Sequence, residues 1–208
     1  MTPDAWSTEV RRRLALGRLL PLGDAADGAW ITERAAGAVL RAACAPVPGL
    51  AVTSLRLSLA DPAAAGTPVV APPPSGLLPG ELRAALEVAV WGADRPRTEE
   101  VREAVLDASH ARLGLRVSRV DIRVTTLLDT PADPAPPIPP PEVHPSPDPA
   151  LRAVPGVAGV TSELPGSLGG GDGPGWVEVV VAAGYRAVDV ARGVRGVVGG
   201  GVLVTWVG

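Results

Sequence analysis

The chain has no lysine and no phenylalanine, and only one cysteine, one methionine and one tyrosine in 208 residues. Without lysine there is no phosphate-loop lysine and no Schiff-base chemistry. A lone Cys44 cannot form an intramolecular disulfide, and a chain of this size needs none, which points to a reducing compartment. Aromatic residues make up 3% of the chain, so a core built from it is aliphatic. No apolar run approaches the ~20 residues that a membrane-spanning helix requires. Arg11, Arg12 and Arg13 near the start are not followed by an apolar stretch and a small-residue cleavage site, so they do not read as a secretory signal. A net charge of −3 gives no global basic field for nucleic acid.

What is abundant is small and aliphatic. The chain is 46% hydrophobic, and Gly (25) and Pro (24) form nearly a quarter of it, close to the level at which a sequence begins to resemble a disordered one. Where the prolines fall therefore decides the reading. All 19 cationic residues are arginine, a bias that fits GC-rich coding better than selection for phosphate binding.

Residues 3–20 read as an amphipathic helix, with Thr2 as cap and Pro3 in the first turn. Trp6, Val10, Leu14, Leu16 and Leu20 share one side, while Arg11, Arg12 and Arg18 lie on the other. Pro21 and Gly23 end it. A second helix runs from about Thr32 to Cys44 and stops at Pro46 and Pro48. Leu50–Leu59 and Leu82–Trp91 alternate as half-buried strands, separated by a loop with six prolines. Thr98–Leu113 reads as a helix, with Thr98 as its cap, Glu99 and Glu100 at its positive end, and Gly114 closing it. Leu115–Leu127 alternates Val117, Val120, Ile122 and Val124 with Arg116, Arg119, Asp121 and Arg123. The order predicts a small α+β sandwich, α-β-β-α-β, with helices on one face.

Half of the twenty residues from Thr130 to Pro149 are proline, a semi-rigid linker with a reach of up to about 60 Å. Beyond it, Val154-Pro155-Gly156-Val157 echoes Val47-Pro48-Gly49-Leu50. Trp176–Ala183 reads as a strand, Arg186–Val198 as a helix and Val202–Val207 as a strand. The same order returns without a clear leading helix, an internal duplication with a reduced second copy. The expected organisation is thus an N-terminal helix (1–23), an α/β domain (24–129), a linker (130–149) and a second α/β copy (150–208) that folds back onto the first or pairs between chains.

Residues 31–128 resemble the alkaline shock protein family, the envelope stress response proteins of Gram-positive bacteria. The matching features are the helix opening at Ile31, the Val47-Pro48-Gly49-Leu50 turn, the Leu86–Val90 strand, the Thr98–Leu113 helix, and Leu115-Arg116-Val117 leading into Val120-Asp121-Ile122-Arg123-Val124. The long proline-rich connection between the first two strands departs from the family, as do the second copy and the N-terminal helix. The resemblance implies a non-enzymatic cytoplasmic protein that gathers at the inner face of the membrane through a membrane-anchored partner. It implies no catalytic residue, metal, cofactor or small-molecule substrate.

Each candidate site carries a plainer alternative. Trp6, Val10, Arg11, Arg12, Leu14 and Arg18 suit a partner-binding or interfacial helix, or simply a helix packed on the domain. Arg112, Arg116, Arg119 and Arg123 suggest a basic strand for RNA, but the aromatics that stack on single strands are missing there; a solvated sheet face is the plainer reading. His110 reads as a surface residue, Ser109 as merely its neighbour in sequence, and Cys44 as a buried structural thiol. The glycines of 169–175 open a strand rather than a helix, which argues against a dinucleotide loop. Val202–Val207, apolar nearly throughout, must be buried on both faces or pair with another chain, so self-association through its edge is expected as an alternative.

Overall fold

The computed structural model describes residues 16–92, 96–133, 136, 138–163 and 175–208. These residues form a mixed α+β fold with two sheets and four α-helices. In chain order the elements are β1 (Leu19–Pro21), β2 (Ala29–Thr32), α1 (Glu33–Cys44), β3 (Leu50–Leu59), β4 (Leu82–Trp91), α2 (Thr98–Ala108), β5 (Val117–Leu128), α3 (Pro149–Arg152), β6 (Val157–Val160), β7 (Trp176–Val181), α4 (Ala187–Val198) and β8 (Gly201–Val207).

The smaller sheet has the order β3-β4-β5, β4 pairing antiparallel with β3 and parallel with β5. The larger has the order β1-β2-β8-β7-β6. Here β6 and β7 are antiparallel, and β7 is joined through α4 to a parallel β8. β8 then pairs in parallel with β2, placing Trp30 beside Leu203 across most of the sequence.

Local chemistry explains most boundaries. The Thr32 side chain accepts the Ala35 N–H (3.2 Å) and starts α1, with Glu33 in the first turn and Arg41 in the last. At the start of α2 the cap position is Arg97, without a side-chain cap bond, so Thr98 is the first helical residue rather than the cap. The helix loosens into a π-turn over Ser109–Leu113 and ends at Gly114. Gly114 has φ +83, and a Cβ there would lie 2.2 Å from Val188 Cγ1, so glycine is required twice over.

One apolar core joins both sheets, with Leu57, Leu86 and Val88 from the smaller and Ile31, Val179 and Val204 from the larger. α1 packs on both β3 and β8, and α4 packs on β8 and touches the π-turn. The C-terminal segment is thus docked within the chain. A separate cluster of Leu19, Trp30 and Leu203, with Trp176 against it, holds an edge-to-face Trp30–Trp176 pair at 5.0 Å.

Three expectations need correcting. The helix expected through Leu20 does not extend that far: Gly17 has φ +70, and Leu19–Pro21 is a strand antiparallel to β2. The Ala29–Thr32 stretch, which includes the helix start expected at Ile31, is a strand. β8 lies between β2 and β7 and is buried at six of its seven positions, so it offers no free edge for self-association. The segment before β6 carries one helical turn, α3, capped by the Asp148 carboxylate on the Ala150 N–H at 2.8 Å.

Candidate functional site

Trp6, Val10, Arg11, Arg12 and Leu14 lie outside the described residues. Arg18 is described, and its guanidinium is engaged within the fold: Nη1 donates to the Leu57 carbonyl at 3.1 Å. Beside it, the nearly buried Glu33 carboxylate accepts the N–H of Leu57 (2.9 Å) and of Arg18 (3.2 Å). Together they close the middle of the β3 edge.

The four arginines of the expected basic strand do not converge. Arg112, on the π-turn, donates to the Gly208 carbonyl at 3.0 Å. Arg116 pairs with Asp24 at 2.8 Å and with Glu81 at 3.8 Å. Arg119 and Arg123 share the outer face of the smaller sheet, in register with Arg83 and Glu87 of β4. Between them Asp121 pairs with Arg83. The face is therefore of mixed sign, and only Arg119 and Arg123 of the four present guanidinium groups without a partner among the described residues.

Two features escaped the sequence reading. The first is a fully buried carboxylate, Glu178, in the middle of β7. Its Oε2 accepts the Thr161 hydroxyl (2.8 Å) and the Glu163 N–H (2.6 Å). Thr161 Oγ1 in turn lies 2.9 Å from Thr205 Oγ1. Glu163 reaches Arg34 at 3.5 Å. A lone carboxylate inside the apolar run 176–181 was the available signal, since a buried charge must be hydrogen-bonded to be tolerated. The second is a cleft of about 340 Å³ lined by Asp27, Arg192, Arg195, Gly196 and Gly199. Asp27 accepts two bonds from Arg192, at 2.8 and 3.0 Å. Partial burial opposes its ionisation, but the bonds from Arg192 and from the Asp24 N–H outweigh this and hold the carboxyl below its usual range. Arg192 is raised correspondingly, chiefly by its hydrogen bond to Asp27. A second cleft, about 380 Å³, lies along Val143–Ser146 and Val157–Gly159.

The candidate catalytic groups stay apart. Ser109 is buried with its hydroxyl unbonded, whereas the adjacent His110 is exposed. Cys44 is a buried free thiol whose pKa desolvation pushes up to about 11, which leaves it protonated and inert at neutral pH. No three His, Cys, Asp or Glu residues among those described could hold a metal ion. No helix among the described residues is long and apolar enough to cross a membrane. No protein-family model, curated protein or solved structure matches the chain.

Proposed function

We propose that this chain is a non-enzymatic adaptor or scaffold of alkaline-shock-like build, acting in the envelope stress response at the cytoplasmic face of the membrane through a membrane-anchored protein partner. The observation that carries the reading is a connectivity that occurs twice. β3-β4-α2-β5 and β6-β7-α4-β8 each run as an antiparallel pair, then a helical crossover to a parallel third strand. Glycines with positive φ stand at the same three junctions: Gly49 and Gly156 before the first strand, Gly92 and Gly184 after the second, Gly114 and Gly199 after the helix. This supports an α-β-β-α-β unit duplicated within the chain, with the leading helix α1 reduced to the single turn α3 in the second copy. A unit built twice presents two related surfaces, which suits bridging between partners.

In-cell cross-linking of the tagged protein, followed by membrane isolation, tests the role. A specific membrane protein recovered with the full chain, and lost on deleting residues 1–15, which leaves β1 and the core residues Leu16, Leu20 and Leu22 in place, supports it. Recovery only from the soluble fraction, with no membrane protein attached, overturns it. A second reading, nucleic-acid binding through Arg112, Arg116, Arg119 and Arg123, draws support from the open guanidinium groups of Arg119 and Arg123 alone. It requires affinity for RNA that falls steeply with salt and that is abolished by reversing the charge of Arg119 and Arg123, the two that lie open.

A further inference from the structure

The two sheets have four edges; among the described residues the chain meets two of them with its own backbone and the middle of a third with side chains. Gly76 bridges Leu19 on the β1 edge, and the Leu77 N–H donates to the Leu19 carbonyl. His144 exchanges both backbone bonds with Val160 on the β6 edge, at 2.9 and 2.8 Å. Glu33 and Arg18 occupy the N–H and C=O of Leu57 on the β3 edge. The fourth edge belongs to β5, and among the described residues its only cover is Arg102 Nη1, which donates to the Val120 carbonyl. Exposure confirms the opening: Val124 is 37% exposed and Leu127 80%.

An open edge is a template for another strand, and the residues of β5 say which strand. Its pairing with β4 shifts register between Val117 and Arg119 and again between Val124 and Thr126, leaving Arg119–Val124 as a regular stretch. Asp121 and Arg123 lie on the outer face in that stretch, and strand alternation turns the backbone of Val120, Ile122 and Val124 toward the open edge. Arg102 binding at the Val120 carbonyl agrees with this assignment.

We infer that β5 is the interface with a second copy of this chain, the two strands pairing antiparallel about a twofold axis at Ile122. Ile122 then faces Ile122 of the second copy, Val120 faces Val124, and Asp121 faces Arg123 twice over. The neighbouring registers are penalised. A twofold at Asp121 sets Arg119 against Arg123 and Asp121 against itself, and one at Arg123 sets arginine against arginine; like charges directly opposite destabilise a sheet. A twofold at Val120 would run the ladder through the irregularity at Ser118. In the Ile122 register the Val120 carbonyl exchanges Arg102 for the N–H of Val124 in the second copy. The pairing is isologous and self-closing, so it ends at a dimer.

The test is sedimentation equilibrium of the full chain from low micromolar to about 200 µM, with circular dichroism melts of every variant. The wild type dimerises with rising concentration. Arg123→Asp, which sets Asp against Asp, weakens the dimer at least ~10-fold, and Arg123→Ala weakens it less. The charge-swapped Asp121→Arg/Arg123→Asp double variant, although it gives up the Asp121–Arg83 pair within the chain, dimerises several-fold more tightly than Arg123→Asp alone. A wild type that stays monomeric throughout overturns the inference. So does a dimer indifferent to Arg123→Asp, or a folded double variant that does not recover.

Discussion

Replacing Glu33 by alanine tests whether the β3 edge is closed as the structure shows. The carboxylate is 8% exposed and accepts two backbone N–H groups, from Leu57 and Arg18. Leu57 is itself fully buried, so its N–H loses its only acceptor, at a cost of about 1–3 kcal/mol. The Arg18 N–H lies at an exposed residue that water can reach, and its loss adds about 0.5 kcal/mol or less. Glu33 also lies in the first turn of α1, where a negative charge contributes about 0.3–1 kcal/mol. Arg56, 3.7 Å away, is 70% exposed and adds little. Glu33→Ala should therefore cost about 2–4 kcal/mol, a fall in Tm of about 5–15 °C for a chain of this length. Glu33→Gln keeps one carbonyl oxygen for Leu57 and should lose less than half as much, while Arg56→Ala should cost under ~0.5 kcal/mol. Urea denaturation with matched m-values measures all three. A loss below ~1 kcal/mol for alanine, or equal losses for alanine and glutamine, would refute the reasoning.

The remaining predictions concern two titrating groups and the joining of the sheets. Burial raises the Cys44 thiol from its ordinary value of 9.0 to about 11, so the folded state holds that proton more tightly than the unfolded one. Its contribution to stability is complete below pH 9 and is lost as pH rises toward 11; Cys44→Ala should flatten that decline in a series of urea melts. Asp27 has the opposite sign: its lowered carboxyl contributes stability above its unfolded value of 3.8, lost as pH falls below it. Asp27→Asn should cost about 1 kcal/mol at neutral pH, discounted for the half-exposed Arg192, and should reduce the acid-side slope of the melts. A fragment of residues 150–208 should show no cooperative melt by circular dichroism. In it β8 loses β2 and α1, against which Val202, Leu203 and Val204 are fully buried. A sharp, two-state transition of the isolated fragment would contradict the shared core.

The elements legible in the sequence are those whose signals are local. β3 and β4 run over the same residues that their alternation marked, Leu50–Leu59 and Leu82–Trp91, because one face of each is buried and the other is not. α1 is readable for the same reason, its start fixed by the Thr32 hydroxyl. What could not be read depends on partners distant in sequence. β1 and β2 are three and four residues long and buried throughout, so no alternation marks them. The leucines of 14–20 satisfy a helical period, yet Leu19 and Leu20 lie in a hairpin strand that closes only with Ile31 and Thr32. The pairing of β2 with β8 joins residues some 170 positions apart and leaves no local trace. The basic strand failed differently. Four arginines within twelve residues suggested one patch, but the π-turn and the strand alternation send them to the Gly208 carbonyl, to Asp24 and to the outer face.

The proline load, which by composition alone borders on disorder, acquires a structural use at the sheet edges. Proline donates no backbone hydrogen bond, so an extended proline-rich segment can satisfy an edge without offering a continuing ladder of its own. Both outer edges of the larger sheet are covered by such segments. Gly76 and Leu77 follow the run Pro72-Pro73-Pro74 and meet β1 at Leu19, where the Leu77 carbonyl also accepts the Trp30 indole N–H at 2.8 Å. His144 is followed immediately by Pro145 and meets β6 at Val160 alone. Each contact is one residue wide, enough to occupy an edge strand of three or four residues and too short to extend the sheet. The linker between residues 130 and 149 is therefore part of the fold at its C-terminal end. Lengthening it ahead of Val143 should be tolerated, because the entropic cost of a longer loop grows only slowly. Replacing His144 by proline should not be, since the Val160 carbonyl would lose its donor.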